Sequence, residues 1–416
     1  MKKALYSCAA GLTAVAVLAS APAQATEGYF SHGFGAVNKS MAGACVATGF
    51  DAMSQATNPA ALMLVDPQFT VDMSVFSPRR EYSATNTPFL VASPGLESDR
   101  NYFFIPSLAG TYEIDPSSSW GWAIYGNGGM NTTYDDPVGP FGFGKTGVDL
   151  AQAFLQLTYA RNVTPGISIG VSPVLVAQRF KAFGLQGFAG SSADSSNLTN
   201  RGYDTSYGYG GKVGVQVDLT SGFRFGASYQ TRMYMTEFDK YKGLFAEQGD
   251  FDIPPALQAG FSWDSGSGVT IALDYKRIFY GDIDAVSNPL SAATLAGTGN
   301  LLGANDGSGF GWETINAYKL GVQWQASPTI AVRAGVGIND NPIPSSEVMF
   351  NILAPGVQEQ HYTAGLTWQQ SPNSALIFGV MYSPSSSVTG QDPLGVHTIE
   401  IEMWQFEATA GWTWTF

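Results

Sequence analysis

The chain has 416 residues, with 20 lysines and arginines against 33 aspartates and glutamates, so its formal net charge is −13. An acidic chain of this kind is a poor partner for nucleic acids, which attract basic proteins. Charged residues are 13% of the chain, about half of their usual share, and aromatic residues are another 13%. These numbers argue against a nucleic-acid-binding protein.

The first 25 residues have the three parts of a secretory signal peptide. Lys2 and Lys3 precede an apolar run at 8–20, and small residues stand at 23–25 (Ala-Gln-Ala), where cleavage is expected. The apolar run is too short to span a membrane, and the rest of the chain has no apolar run of about 18 residues. Without a predicted membrane-spanning helix, this exported chain is predicted to be a secreted all-β domain or an outer-membrane β-barrel.

Residues 26–66 have an unusual composition. The stretch 41–62, MAGACVATGFDAMSQATNPAAL, is rich in small residues, and Asp51 is its only charged residue. It lacks the bulk to form a core of its own, so we expect it to pack inside a larger structure. Cys45 is the only cysteine after the signal peptide, which excludes an intramolecular disulfide. It is predicted to be a packed apolar side chain and not a nucleophile.

The rest of the chain alternates between apolar and polar residues, as β-strands with one apolar face do. In 401–416 the even positions from 404 read Trp, Phe, Ala, Ala, Trp, Trp, Phe, and the odd positions are mostly polar. Tryptophans such as Trp324, Trp368 and Trp412 stand near strand ends, where the aromatic girdles of membrane barrels lie. Lysines and arginines in mid-strand suit a wet lumen better than a dry core. The pattern therefore favours the membrane barrel.

Short turns and long polar or Gly-rich stretches alternate strictly along the chain, as periplasmic turns and extracellular loops do in outer-membrane barrels. Six short turns and seven long stretches divide it into fourteen predicted antiparallel strands. These are 68–80, 103–114, 120–129, 150–163, 167–180, 206–219, 223–238, 255–264, 269–281, 313–326, 329–338, 361–370, 375–383 and 401–416. A barrel of this width needs a plug, and residues 26–66 can fold into its lumen from the periplasmic side. The predicted fold is thus all-β, with a signal peptide at 1–25, a plug at 26–66 and a fourteen-stranded transmembrane barrel at 67–416.

Three features before the first strand occur in the same order in a known family: Met-Ala-Gly-Ala at 41–44, the acidic Asp51, and Asn58-Pro59-Ala60. With the signal peptide, the strand count and the terminal Phe416, they make the chain resemble the outer-membrane long-chain fatty-acid and aromatic-hydrocarbon transporters of the FadL type. The resemblance implies passive uptake of fatty acids or hydrocarbons across the bacterial outer membrane. It also implies that residues 26–66 are a gated hatch, with Asn58-Pro59-Ala60 as its hinge or latch.

The resemblance further implies an opening in the barrel wall. In this family an inward kink of the third strand opens a gap beside the hatch, through which substrate is thought to leave sideways into the membrane. The third predicted strand here ends in YGNGGMNTTYDDP, and Asn127-Gly128 stands where the family often has Pro-Phe. Because glycine inside a strand marks a bulge or a close backbone approach, the kink is expected at Asn127, Gly128 and Gly129.

A fatty-acid carboxylate would require basic side chains in the lumen. By strand parity Lys319, Arg333 and Arg232 are expected to face inward, with Lys319 the first candidate for contact with a head group. Arg224 and Lys276 share this parity. The alternative is that these bases neutralise inward acids. The acids in question are Asp72, Asp218, Asp274 and Glu407.

Some predicted loops carry more apolar residues than a solvated loop needs. The residues are Phe183, Leu185, Phe188, Leu244 and Phe245. They are predicted to form a patch that first captures hydrophobic molecules. The alternative is that the loops pack on one another as a lid.

Other functions find less support in the sequence. Gly166 to Gly170 matches the Gly-x-Ser-x-Gly motif of lipases, but Ser168 opens an alternating strand and not a strand-to-helix turn. With three histidines in the chain, no catalytic site, metal site or cofactor is expected. A general porin or an adhesive barrel remains an alternative to the transporter. The expected partners are the hydrophobic substrate, outer-membrane lipid with lipopolysaccharide, and the barrel-assembly machinery, with the chain as a monomer.

Overall fold

The computed structural model describes residues 27–85 and 95–416, so the predicted signal peptide at 1–25 lies outside the described residues. Fourteen long β-strands, β1 to β14, follow one another along the chain. They are Gln68–Thr85, Phe103–Asp115, Ser118–Tyr134, Thr146–Thr164, Ile167–Phe183, Asp204–Asp218, Phe223–Gln230, Ala256–Asp264, Val269–Ile278, Ile315–Ser327, Ile330–Asn339, Gln360–Ser371, Ser374–Gln391 and Thr398–Thr415. Two-residue strands at Leu96–Glu97 and Tyr234–Met235 add short pairings to β1 and β6.

Each long strand is antiparallel to the next, and the first strand pairs with the last. The β1–β14 register runs from Gln68 opposite Thr415 to Thr85 opposite Thr398, which closes the sheet into a barrel. One end of the barrel carries the short turns and the other end carries the long connections. The predicted fold class, a closed fourteen-stranded antiparallel barrel, is confirmed.

The two faces of the strands have the predicted polarity. On β14 the side chains of Trp404, Phe406 and Trp412 are exposed, whereas Gln405 and Glu407 are buried. The same alternation on the other strands gives the barrel an apolar outer surface and a polar lining. Such an outer surface is what a lipid-facing barrel requires.

Several strand ends differ from the prediction. Strand β13 continues to Gln391, whereas the prediction ended it at 383. Strand β14 begins at Thr398, whereas the prediction began it at 401. Most of the added residues are polar, which resembles a loop in sequence, but cross-strand backbone pairing holds them as a ribbon. Strand β7 ends at Gln230 and not at 238, because Thr231 bonds back to Gly211 and Met233 pairs with Ile253.

The segment before the barrel contains three short helices. They are α1 at Gly35–Lys39, α2 at Ser54–Thr57, and a 3-10 helix at Pro59–Leu64. The long connections contain further one-turn helices at Asp284–Ser287, Ala292–Leu295 and Val348–Asn351, and a turn at 246–249 whose two middle residues have positive φ. None of the helices in the described ranges has the length and apolar character needed to cross a membrane.

The largest apolar core lies inside the barrel wall and under the long connections. It joins residues of the N-terminal segment, such as Tyr29 and Phe30, to residues of the connections, such as Tyr241, Tyr280 and Trp312. The inward-facing side chains of the barrel thus pack both against the N-terminal segment and against the long connections.

Candidate functional site

Residues 27–66 pack against the inward faces of strands around the barrel. Glycines on those faces make this approach possible, because a Cβ atom at each would meet an atom of the N-terminal segment. The pairs are Gly121 with Gln55, Gly128 with Tyr29, Gly170 with Pro59, Gly214 with Asn58, Gly226 with Val46, Gly335 with Met41, and Gly365 with Ser40. The segment is therefore in contact with strands β3, β5, β6, β7, β11 and β12.

Asn58 fixes one part of this segment. Its side-chain amide donates to the carbonyl oxygens of Val46, at 2.7 Å, and of Val215 in β6, at 3.0 Å. Its side-chain oxygen accepts from the backbone N–H of Ala60 and so caps the 3-10 helix that begins at Pro59. Proline suits this first helical position, where its missing N–H costs no hydrogen bond. Asn58-Pro59-Ala60 thus lies chiefly against β4, β5 and β6, and not against the bulge of β3.

The third strand carries a β-bulge at the residues where the kink is expected. The register of β3 against β4 shifts between Gly126 and Gly128, which leaves Asn127 as the extra residue. The residues that cover the bulge are 29–31. Ser31 N–H donates to the Asn127 carbonyl at 2.9 Å, and Gly129 N–H donates to the Tyr29 carbonyl at 3.0 Å.

Glycine is required at the centre of this contact. Phe30 and Gly128 form an isolated antiparallel bridge. A Cβ atom on Gly128 would collide with the Tyr29 carbonyl and would lie 3.1 Å from the Phe30 Cα atom. Three residues of the N-terminal segment therefore act as a short extra strand on the inner side of β3.

Strand β3 has no pairing with β2 over the same stretch. Strand β2 pairs with β3 from Asp115 only as far as Leu108 opposite Ile124. Strand β2 continues to pair with β1 up to Phe103, and β3 continues to pair with β4 up to Tyr134. Within the described residues the wall therefore has a gap between β2 and β3, beginning beside Tyr125 on β3.

A buried charge cluster lies next to these residues. The Glu27 carboxylate bridges two lysines of the barrel, with Oε1 2.5 Å from the Lys319 Nζ atom and Oε2 2.6 Å from the Lys276 Nζ atom. Lys319 also donates to the His32 carbonyl at 2.7 Å. All three charged side chains are less than a tenth exposed. Burial raises the pKa of Glu27, but the two ammonium groups lower it by more, so the pKa lies below its ordinary value.

Tyr280 holds the backbone of the same stretch. Its hydroxyl donates to the Glu27 carbonyl at 2.6 Å and accepts from the N–H groups of Tyr29 and Phe30 at 3.1 and 3.3 Å. Residue 280 lies two positions after the end of β9, and Lys276 is on β9. One strand end therefore supplies both a charge and a hydroxyl to residues 27–30.

The predicted head-group residues do not form one site. Lys319 belongs to the Glu27 cluster. Arg333 is buried further along the barrel, where it donates to Gln323 at 2.7 Å and to Thr367 at 2.8 Å. Arg232 follows β7 in a long connection and lies 3.6 Å from an Asp252 oxygen.

The inward acids named in the sequence are mostly engaged as well. Glu407 pairs with Lys39 of the N-terminal segment, and Asp218 pairs with Arg224 at 2.5 Å. Asp72 and Asp274 accept from the backbone N–H groups of Ala36 and Val46. A base therefore neutralises two of these four acids, Glu407 and Asp218, whereas Asp72, Asp274 and Glu407 bind groups of the N-terminal segment.

Lys212 is a buried base that the sequence analysis did not single out. Its Nζ atom donates to the Ala56 carbonyl and lies 5.5 Å from the centre of the Phe34 ring. In the described part of the chain, no carboxylate lies within ion-pair distance of it. Strand parity could have found it, because Lys212 alternates with the outward Val213 and Val215 on β6.

Lys212 and Lys276 line a common cavity between the N-terminal segment and the wall. The other residues that line it include Phe30, Phe34, Thr57, Asn127 and Leu257. The cavity therefore combines aromatic and aliphatic surface with two ammonium groups, and it reaches the extra residue of the β3 bulge.

The predicted capture residues are not an exposed patch. Leu185, Phe188, Leu244 and Phe245 are each at most 3% exposed. Phe245 packs on Phe180 with ring centres 4.7 Å apart, and Phe188 packs on Phe141 at 5.0 Å. The long connections thus pack on one another as a lid. Phe183 is half-buried at the end of β5.

The lipase-like motif forms no catalytic arrangement. Ser168 is the second residue of β5, and its hydroxyl donates to the side chain of Asn162 at 2.7 Å. No group of three histidine, cysteine or acidic side chains in the described ranges is placed to hold a metal ion.

The fold and the inner segment define a class, outer-membrane transport barrels, and comparison with known proteins identifies the family. The chain matches the family model described as "Outer membrane protein transport protein (OMPP1/FadL/TodX)" over residues 12–410. It therefore belongs to this family of outer-membrane transport proteins. The family consists of transport proteins, so the chain is a transporter and not an enzyme. Comparison with curated protein sequences gave no significant match.

Solved structures show the same fold at low sequence identity. The Pseudomonas putida toluene transporter TodX superposes with a TM-score of 0.70 at 15% identity, covering 94% of this chain and 100% of that one. A Pseudomonas aeruginosa FadL homologue gives 0.69 at 13% identity, with the same coverage. The Ralstonia pickettii toluene transporter TbuX gives 0.65 at 16% identity, covering 92% of this chain and 99% of that one.

Proposed function

We propose that this protein is a passive channel through which hydrophobic small molecules, fatty acids or hydrocarbons, cross the outer membrane. Residues 26–66 act as a hatch within the barrel of residues 67–416, after removal of a signal peptide at 1–25. Substrate leaves sideways through the wall at Asn127, Gly128 and Gly129. The observation that carries this proposal is the β2–β3 gap, whose inner side is covered by residues 29–31.

The way in which residues 29–31 cover the gap supports a gate at this point of the wall. A strand edge with unpaired N–H and C=O groups is unfavourable in a membrane, where water cannot satisfy them. Residues 29–31 satisfy two of these groups at the bulge, yet they are not part of the wall. Their withdrawal would open a lateral path without breaking any of the strand pairs that close the barrel.

A lateral path suits hydrophobic substrates. A molecule that leaves through the wall enters lipid directly and avoids the aqueous periplasm, so its transfer requires no energy input. The cavity beside the bulge supplies the apolar contacts that such a molecule needs, from Phe30, Phe34 and Leu257.

Entry is proposed at the end of the barrel with the long connections. The apolar cluster there includes Leu185, Phe188, Leu244 and Phe245, and together with Phe183 at the end of β5 it would receive hydrophobic molecules when the connections separate. The Asn58-Pro59-Ala60 corner holds the hatch during this step, through the bonds of Asn58 to Val46 and Val215.

The end of the last strand and the outer face of the barrel suggest the partners of the protein. Phe416 ends the closing strand with its side chain 60% exposed, and we propose that the barrel-assembly machinery recognises this end. The apolar outer face would contact outer-membrane lipid and lipopolysaccharide, and one chain suffices to close the barrel as a monomer.

Two measurements test the proposal. A deletion strain that expresses the protein should take up labelled oleate, dodecane or toluene faster than the empty strain. Liposomes containing the protein should not swell in hydrophilic sugars, because the N-terminal segment fills the lumen. Swelling at the rate of a porin, with no gain in hydrophobic uptake, would favour a general porin and overturn the proposal.

A further inference from the structure

Two basic side chains stand on the outer face of the barrel near its long connections. Arg179 and Lys181 are on β5, and they share the parity of Val171 and Leu175, whose side chains are exposed on the outer surface. They lie at the end of the strand that leads into a long connection, which is the extracellular end in outer-membrane barrels. The pair is therefore placed at the outer border of the apolar belt.

One aromatic ring holds both side chains. The guanidinium carbon of Arg179 and the ammonium nitrogen of Lys181 each lie 4.6 Å from the centre of the Tyr203 ring, so the two charges are no further apart than twice this distance. The ammonium group also lies 5.5 Å from the centre of the Phe183 ring. Contact with a ring face positions a cation but leaves its N–H groups able to donate elsewhere. Two like charges are thus held side by side, with a repulsion that a bound anion would relieve.

The acid nearest to this pair in the sheet does not neutralise it. Asp149 of β4 is opposite Lys181, but one of its oxygens binds Arg100 at 2.5 Å and the Tyr203 hydroxyl at 2.6 Å, and the other binds no base. In residues 27–85 and 95–416, neither Arg179 nor Lys181 forms an ion pair. The Nε atom of Arg179 is buried without a hydrogen-bond partner in the same ranges.

The next acid along the chain is engaged as well. Asp204 of β6 is opposite the inward Phe180, and its carboxylate accepts from the backbone N–H groups of Thr205 at 3.0 Å and Lys240 at 2.8 Å. The Lys240 ammonium group donates to the Tyr203 carbonyl at 2.5 Å, which adds a third cation near the pair. Positive charge therefore collects on this part of the outer face, although the chain as a whole has a net charge of −13.

Aromatic and aliphatic surface lies on the membrane side of the pair. Tyr207 and Tyr209 of β6 are 61% and 65% exposed, and Tyr209 is opposite Leu175, four residues from Arg179 along β5. Four residues of a strand span roughly 13 Å. A ligand that suits both regions has an anionic head above several apolar chains. Arginine binds phosphate in a bidentate manner, so a phosphate head fits best.

We propose that Arg179 and Lys181, held by Tyr203, form a binding site for a phosphate group of lipid A, the acylated phosphosugar of lipopolysaccharide. The inference rests on the proposed contact of the outer face with lipopolysaccharide and gives that contact a specific site on β5 and β6. Arg179 offers paired N–H donors to the phosphate, and Lys181 adds a second positive charge. The acyl chains of the same molecule lie along Leu175 and Tyr209.

Native mass spectrometry of the purified protein in detergent tests the site, because it counts the lipid molecules bound to each chain. The probes are lipid A with two phosphates and the same lipid A after removal of both phosphates. A chelator is present, so that divalent cations do not bridge lipid and protein. The phosphorylated form should bind about tenfold more tightly, the change expected for one charge-assisted hydrogen bond. Inorganic phosphate in large excess should not displace it.

Matched substitutions locate the effect. Arg179→Gln should weaken binding of phosphorylated lipid A about tenfold. Addition of Lys181→Gln should abolish the preference for the phosphorylated form. Arg277→Gln is the control, because Arg277 on β9 is also half-buried and lies 5.4 Å from the centre of an aromatic ring, that of Phe279, but donates to Asn316 at 3.3 Å. It removes the same charge and should leave the binding unchanged.

Three outcomes would overturn the inference. Equal binding of the two lipid A forms to the native protein would show contact with the apolar belt alone, and this comparison does not depend on the assembly of any variant. Equal weakening by Arg179→Gln and Arg277→Gln would show a general effect of charge. Displacement by inorganic phosphate would assign the pair to a free anion. No transported molecule is present in this assay, so these results leave the proposed uptake standing, and loss of uptake in cells would leave the lipid site standing.

Discussion

Two parts of the N-terminal segment are held in different ways. Residues 36–60 are fixed by close packing on wall glycines and by side-chain bonds such as those of Asn58. Residues 27–31 meet one wall glycine, Gly128, and are otherwise fixed by two backbone bonds to β3, by the Tyr280 hydroxyl, and by the ion pairs of Glu27. Both parts are buried to a similar degree.

The difference indicates which part can move. Close packing has no substitute in a ligand, because a neighbouring molecule cannot reproduce the fit of backbone against glycine. Hydrogen bonds and ion pairs can be exchanged for those of a ligand or of another chain. We therefore propose that the segment combines an anchor, residues 36–60, with a releasable end, residues 27–31, and only the second lies at the gap.

The largest expected effect comes from Gly128→Val, which breaks the contact of the releasable end with β3. The added side chain collides with the Tyr29 carbonyl, which is backbone and cannot swing away. We expect residues 29–31 to leave the bulge permanently. The path through the wall should then be open even when no substrate is bound. Because Ser31 is 1% exposed, maleimide labelling of Ser31→Cys reports this change and should be fast in this variant without any ligand.

Gly211→Ala is the control for this substitution. Its new Cβ atom would meet only the Ser172 carbonyl, at an ordinary 3.6 Å. Labelling should stay slow. Slow labelling in Gly128→Val as well would show that residues 29–31 do not depend on the bulge.

Asn58→Ala tests the anchor. It removes one donor from each of two carbonyl groups, Val46 and Val215, and the cap of the Pro59 helix, although Gln216 still donates to the Val46 carbonyl at 3.3 Å. Each hydrogen bond lost costs about 0.5–1.5 kcal/mol. We expect uptake to fall, because a loosened anchor no longer presents residues 27–31 to the bulge.

Pro59→Ala should lower uptake less, since it removes no hydrogen bond. In both variants the barrel should still assemble, as shown by heat-dependent migration in electrophoresis. Normal uptake in both would contradict the role of this corner.

Tyr280→Phe tests how much the Tyr280 hydroxyl contributes to holding residues 27–31. The change deletes a hydroxyl that serves three backbone groups of residues 27–30, at a cost of about 1–3 kcal/mol. Basal labelling at residue 31 should rise, by less than in Gly128→Val. Tyr134→Phe also deletes a buried hydroxyl, which donates to the Ile352 carbonyl in a long connection. It should not change this labelling.

The smallest expected effect is a pH dependence of protease cleavage in the long connection at residues 231–255. Burial and the neighbouring Asp252 carboxylate raise the pKa of Asp250 from 3.8 to about 6. The folded connection therefore favours protonated Asp250, so its stability is greatest below pH 3.8 and falls as the pH rises through about 6. Residues 231–255 should be cut by protease more readily at pH 8 than at pH 5, relative to an Asp250→Asn variant measured at the same pH. An equal ratio at both values would contradict this.

The barrel could be predicted from the sequence because alternation is a local signal. Each face of β14 is visible in the order of Trp404 to Trp414, and short turns mark the strand ends. The bulge at Asn127 was also predictable, because consecutive glycines in a strand are unusual. Strand ends beyond the apolar belt, as at Gln391, were not, because polar ribbons and loops have the same composition.

The charge cluster could not be predicted, because its partners are far apart in the chain. Glu27 lies about 250 residues before Lys276, and no spacing rule joins them. The sequence showed that Lys319 faces inward but not that it forms an ion pair with an acid of the N-terminal segment. Lys212 was accessible to the parity rule and was missed because β6 is rich in glycine and tyrosine.

The most direct test of the proposed exit is a reversible tether between residues 31 and 127, whose backbones are hydrogen-bonded at 2.9 Å. Ser31→Cys and Asn127→Cys, in a Cys45→Ser background, would be joined by a short bismaleimide with a reducible link. The proposed exit predicts that hydrophobic uptake stops when the tether is closed and returns when a reductant opens it. Undiminished uptake through a fully tethered protein would show that substrate does not leave through the gap between β2 and β3.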